Sequence, residues 1–247
     1  MNPEPRAAGT AGMLAGAGLA IEFALFTASG WTPATFSQPE RALAFLQTGG
    51  TLLRAAGLVG FLNLGLAVLW VVGLAAKLAD GARTRATATL YFALVGMAGH
   101  ALVPVGLWLT VPAFLRLAAH DQAVAAGGWS GFAALLSAAG GVGYLFDGFA
   151  LLAAGWALLG RRRWPALLGW VGVVGGGASA LTVLADETAL DALAAACFLP
   201  ALLLTITFRF WSGYLLRRET GEAREHRPAE ATPSATKGFS SSARPAG

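Results

Sequence analysis

The chain has 247 residues, 12% of them charged and 56% apolar, with a net charge of +4 and one cysteine, Cys197. Soluble domains carry about 25% charged residues, so this composition excludes an ordinary soluble fold, and a single cysteine excludes an intramolecular disulfide. The basic residues are scattered over short connections and a tail, which argues against a nucleic-acid surface.

Six apolar runs follow one another, each long enough to cross a hydrocarbon core, which takes roughly 20 residues. They are Ala11–Ser29, Thr51–Ala79, Ala86–Leu109, a segment within Gly131–Leu159, Pro165–Ala185 and Leu190–Leu216. A lipid-exposed segment must satisfy its backbone hydrogen bonds internally, and none of the runs alternates as a barrel strand does. The fold class expected is all-α, a polytopic bundle of six transmembrane helices. Glu22 interrupts the first run, which favours a retained span over a cleaved leader.

Between the runs, Ser37-Gln38-Pro39-Glu40 has the spacing of a capping box. The residues after it, and Pro112 to Ala126, suggest short outer helices lying on the surface or loops packed on the bundle. Residues 1–10 are expected to form a short N-terminal segment, 11–218 the membrane domain, and 219–247 a disordered polar tail.

Basic residues near span ends set orientation. Lys77, Arg83 and Arg85 follow span two, Arg161 to Arg163 follow span four, and Arg217 and Arg218 follow span six. Both termini are therefore expected in the cytoplasm, with the protein multi-pass in a bacterial inner membrane and the lipid bilayer as its main partner. Trp31, Trp108 and Trp129 would anchor the outer ends, and Trp156, Trp164 and Trp211 the inner ends. The pairs Gly12/Gly16 and Gly172/Gly176 have the spacing that joins helices within a subunit or in a homo-oligomer.

Four polar residues stand at membrane depth: Glu22, Asn63, His100 and Asp147. Such residues are costly, face the bundle interior or a cavity, and mark candidate sites. Each lies 14 to 16 residues from the basic residue at its inner end (Arg6, Lys77, Arg85 and Arg161), or roughly 21–24 Å at 1.5 Å per residue. Four helices would thus place a polar group in one layer. Small residues share their faces: Gly18 with Glu22, Gly60 with Asn63, Gly96 with His100 and Gly143 with Asp147. Glu22, His100 and Asp147 are the expected proton-sensitive ligands, with Asn63 as an orienting amide.

Arg209 is close enough to the inner end to snorkel outward, as Arg54 would toward the outer end. His120-Asp121 offers two adjacent metal ligands, too few for a site. The glycine run at 172–177 lacks the strand and the Lys-Ser/Thr of a phosphate loop. No metal and no cofactor is expected.

The stretch Gly143-Tyr-Leu-Phe-Asp147-Gly148-Phe-Ala-Leu-Leu, followed by Arg161-Arg-Arg-Trp-Pro165-Ala-Leu-Leu-Gly169-Trp170, resembles a bacterial family of six-span proteins catalogued only as a domain of unknown function. The resemblance is sharpest over Gly143–Gly177 and implies a six-span fold but no activity. Three readings stay open. The first is binding or proton-linked transport of a small lipophilic or weakly charged molecule at the polar site. The second is an intramembrane acid–base enzyme acting on an isoprenoid-type lipid, with its catalytic residues unknown. The third is a structural or accessory membrane protein whose polar layer specifies helix pairing.

Overall fold

The computed structural model describes residues 5–32, 37–162, 164–188 and 190–225, and among these there is no strand. Helix α1 spans Pro5–Ala28. The longest helical stretch, Pro39–His120, leaves helical φ/ψ at one residue, Ala82, which divides it into α2 (39–81) and α3 (83–120). Helices α4, Gln122–Leu159, α5, Ala166–Glu187, and α6, Asp191–Glu225, complete the described residues. Among the described residues, five helices, counting Pro39–His120 as one, are long and apolar enough to cross a membrane.

The break falls where local sequence weakens a helix. Gly81 has low helix propensity, and it adjoins Asp80 and Arg83, which favour water. Close by, Arg161 Nη2 donates to the Leu78 carbonyl at 2.7 Å, so a side chain from the α4–α5 turn fastens the bend. Pro104 and Pro112, by contrast, are carried within α3 without leaving helical geometry.

Glycines set the packing. Gly50 lies against Val111 and Gly57 against Pro104 and Leu107, so α2 and α3 run antiparallel. Gly96 and Gly99 meet α4 at Asp147 and Gly143, while Gly148 and Gly155 meet α5 at Gly176 and Gly169. Gly175 meets α6 at Leu204, and Gly9 of α1 meets Gly213 and Arg217 of α6. Gly73 and Gly60 of α2 close the circuit against Ala8 and Glu22 of α1. The result is a ring in which every helix packs antiparallel on its sequence neighbours, with α6 returning to α1. The beginning of α1 therefore lies beside the end of α6. Both Gly-x-x-x-Gly pairs are used inside the chain: Gly12 lies against Trp70 of α2 and Gly213 of α6, Gly16 faces α6, Gly172 lies against Phe208 of α6 and Gly155 of α4, and Gly176 faces α4.

Two apolar cores stack along the ring. One contains Trp70, Leu74, Met97, Leu151 and Phe208. The other contains Leu43, Leu46, Leu53, Leu107, Val111 and Trp129. The second core corrects the expected outer segments: the residues after Pro39 continue α2 and bury Leu43 and Leu46, while within Pro112–Ala126 α3 runs on to His120 and α4 starts at Gln122 and buries Ala125, rather than these lying flat as surface helices or loops. Gln38, not Ser37, occupies the cap position of α2, without a side-chain cap bond. Asp121 caps α4, its Oδ1 accepting from the Val124 N–H at 3.0 Å, so this loop acid has a structural task. Trp129 and Trp164, expected as anchors at the membrane interfaces, have their side chains packed inside the protein. Helix α6 continues to Glu225, so the start of the expected tail is helical, and residues 226–247 lie outside the described residues.

Candidate functional site

Between the two apolar cores the ring narrows onto Asp147. Gly96 is what lets α3 approach it: a methyl there would come within 2.5 Å of Asp147 Oδ1 and 2.8 Å of its backbone nitrogen. One turn further out on the same face, His100 packs its imidazole over Gly143, where a methyl would come within 2.7 Å of Nδ1. The approach brings His100 Nε2 to 3.3 Å from Asp147 Oδ2. Pro104, four residues on from His100, has no N–H for the His100 carbonyl, which leaves that carbonyl without its usual helical donor.

The same Asp147 oxygen receives Arg209 Nη2 from α6 at 3.1 Å. The expectation that Arg209 snorkels to the inner surface is therefore wrong. Its side chain is 10% exposed and turned to the centre of the bundle. A cation that cannot lose its proton is too costly to bury alone, and Asp147 is its counter-charge. Further contacts hold it in place. The guanidinium lies 5.7 Å over the Trp70 ring, Trp70 Nε1 donates to Ser212 Oγ at 3.0 Å, and Ser212 Oγ donates to the Arg209 carbonyl at 3.3 Å. Arg209 Nε is buried with no hydrogen-bond partner among the described residues. Beside it, Asp147, Arg209, Thr89 and apolar neighbours including Met97 and Phe208 line a cavity of about 20 Å³, close to the volume needed for one water.

Glu22 projects from α1 onto Gly60 of α2, where its carboxylate occupies the space a Cβ would need. It lies within electrostatic range of His100 and Arg209. Tyr144 sits edge-on to His100 with ring centroids 4.9 Å apart, within range of both acids. Asn63 is placed differently. In the amide orientation that satisfies both ends, its nitrogen donates to the Ala15 carbonyl at 3.1 Å and its oxygen accepts from the Leu19 N–H at 3.3 Å. It clips α2 to the backbone of α1 one turn from Glu22, so it orients the helix that carries the acid.

Sequence spacing alone places these groups in a single layer. In the fold they form a column. Gly96, opposite Asp147, and Gly60, opposite Glu22, stand 14 and 22 residues from the bend at Ala82, so the acids differ in height by about 12 Å. His100 stands between them in height, and nothing brings Asn63 into contact with Asp147. Arg209, Tyr144, Trp70 and Ser212 were not among the expected site residues. For Arg209 a signal existed: it is the lone residue charged at neutral pH between Asp191 and Arg217, with Thr205, Ser212 and Gly213 on its face.

An apolar helical ring with an ionised cluster at its centre defines a multi-pass helical membrane protein. The chain belongs to the family described as Domain of unknown function (DUF4386), whose model matches residues 5–217. No curated protein and no solved structure matches it.

Proposed function

We propose that the protein crosses a bacterial inner membrane six times with both termini cytoplasmic, and that its central cluster couples protonation to binding or transport of a small lipophilic or weakly charged molecule. Each half of the stretch divided at Ala82 is long enough to span the bilayer. Six antiparallel segments put both ends on one side, and that side carries Lys77, Arg85, Arg161 and Arg217, in line with the positive-inside rule.

The observation that carries the functional reading is the shared Asp147 oxygen, approached by Arg209 at 3.1 Å and His100 at 3.3 Å. An Asp–Arg pair is already neutral, and a purely structural device would be complete with it. Adding His100 and Glu22 supplies two titratable groups around a fixed pair. Taken together, the four side chains are neutral with Glu22 protonated and His100 neutral, and again with Glu22 ionised and His100 protonated. Gaining or losing one proton charges the cluster in a region where an uncompensated charge is costly, so proton binding and the arrangement of the helices are coupled. The cavity beside Asp147 is water-sized, so a solute enters by helices parting, and the glycine-lined α3–α4 contact is the seam closest to the site.

Asn63 favours a second, structural reading for part of the column, because its bonds are to backbone. The lipid-enzyme alternative needs a pocket that holds an isoprenoid chain, and the cavity at Asp147 gives it no support.

The test uses proteoliposomes loaded with a pH-reporting dye and challenged with tetraphenylphosphonium, ethidium and neutral lipophilic amines. Wild type is expected to move protons with at least one of these probes. His100→Gln and Glu22→Gln should abolish that response while keeping the wild-type melting temperature. Responses in both variants equal to wild type would overturn the reading.

A further inference from the structure

At the end of the ring that holds both termini, three elements meet around an open cleft. Lys77 and Asp80 stand at the end of α2, Arg161 and Arg162 form the turn after α4, Trp164 leads into α5, and Glu219 lies on α6. The cleft measures about 240 Å³, smaller than the ~300–1,000 Å³ of pockets for drug-sized ligands. Its volume suits a headgroup rather than a nucleotide.

The donors are held in advance. Lys77 Nζ pairs with Glu219 Oε2 at 2.7 Å, and Trp164 Nε1 donates to Glu219 Oε1 at 2.8 Å, so one carboxylate positions both. An ammonium has three donors, and this pair engages one of them. Arg161 is fixed through Nη2 on the Leu78 carbonyl, which holds the guanidinium plane and leaves the rest of its donor fork for a ligand. Arg162 is exposed at the rim. Three cations against two carboxylates leave the lining net positive.

The depth of the cleft in the bilayer is marked by a neighbouring pair. Trp156 is exposed on the outside of α4, with the Arg85 guanidinium 5.6 Å over its ring and Arg85 Nη1 donating to its carbonyl at 3.3 Å. Exposed tryptophan with arginine is the chemistry of the headgroup level, and basic pockets between helices on the cytoplasmic side take phosphate headgroups.

We propose that this cleft binds a phosphate ester: the headgroup of an anionic membrane lipid, or a soluble ester with the same oxygens. Arg161 and Arg162 bind the phosphate, Lys77 adds a third positive donor, and Glu219 sets the strength by holding part of the Lys77 charge. The site is separate from the Asp147 cluster and stands whatever that cluster does.

Native mass spectrometry on the full chain, purified from membranes and offered phosphatidylglycerol and phosphatidylcholine in equal amounts, tests it. Wild type should retain phosphatidylglycerol preferentially. Arg162→Gln should lower that retention about fivefold, the loss expected for one interfacial cation, and Lys77→Gln serves as a second variant should the first fail to fold. Glu219→Gln keeps an oxygen for Trp164 but frees Lys77, and should raise retention. If glycerol 3-phosphate at millimolar concentration displaces the lipid, the site is supported and its ligand is a soluble ester. Preference for phosphatidylglycerol that resists this competitor supports the lipid as ligand. Equal retention of the two lipids by wild type, or retention in both cation variants equal to wild type, overturns the proposal.

Discussion

Replacing Asp147 by Asn keeps the shape of the side chain and one acceptor oxygen but removes the charge that Arg209 faces. At 3.1 Å the pair is worth about 5 kcal/mol at an effective dielectric of 20, before desolvation. Desolvation cannot be recovered in the variant, because Arg209 stays charged and its side chain is 10% exposed. Breaking a buried pair from one side costs about 3–5 kcal/mol, and the retained oxygen puts the expected loss near the lower figure, about 3 kcal/mol. The double variant Asp147→Asn/Arg209→Gln should restore most of it, giving a coupling energy of about 2–3 kcal/mol. Reversible unfolding in mixed micelles of the wild type, both single variants and the double variant measures this. A coupling below about 0.5 kcal/mol, with all four proteins folded, would refute the argument that Asp147 is what permits Arg209 to be buried.

Two further expectations concern the helices that bring the site together. Gly96→Ala gains up to about 1 kcal/mol of helix propensity, but its methyl meets Asp147 at 2.5 Å. The net expected is a loss of about 1–3 kcal/mol from overpacking, whereas Gly65→Ala, with nothing within 4 Å, should be neutral or slightly stabilising; melting temperatures separate the two. Asn63→Leu removes the clip onto Ala15 and Leu19 and should cost about 0.6–1.7 kcal/mol, the range for hydrogen bonds between membrane helices. The melting temperature should fall, protease cleavage in the α1–α2 connection should rise, and the Asp147–Arg209 coupling should keep its wild-type value.

Much of the fold was legible because the bilayer imposes a strong rule: long uncharged runs must be helices. The runs sit on α1 to α6, and the small residues beside Glu22, Asn63, His100 and Asp147 mark real contact faces. What local pattern could not show is continuity. The residues after Pro39 and those of Pro112–Ala126 carry polar and charged side chains and look like surface segments, yet α2 starts at Pro39, α3 runs on to His120 and α4 starts at Gln122. Trp129 illustrates the same limit, because a tryptophan near a span end suits an interface and a core equally well, and three-dimensional neighbours choose between them.

At the site, the cost of an ionisable group within an apolar run was enough to bring His100 and Asp147 forward as candidates, whereas counting residues from the flanking charges put Glu22 and Asp147 in one layer although they stand about 12 Å apart in height. Arg209 shows where such reasoning stops. Its distance from Arg217 is compatible with a side chain that reaches water, and only the closure of α6 onto α1 and α5 turns it toward α4, where Asp147 offers a counter-charge.

Hydropathy and the positions of charge thus determine, from the chain alone, that the protein is helical, apolar and punctuated by a few buried polar groups. Those properties are local: each depends on a residue and its neighbours within a few turns. Which polar groups share an oxygen, and which merely hold two helices together, is decided by the ring. The partners of Asp147 lie 47 residues before it and 62 residues after it in the chain, and glycine contacts between helices set their approach.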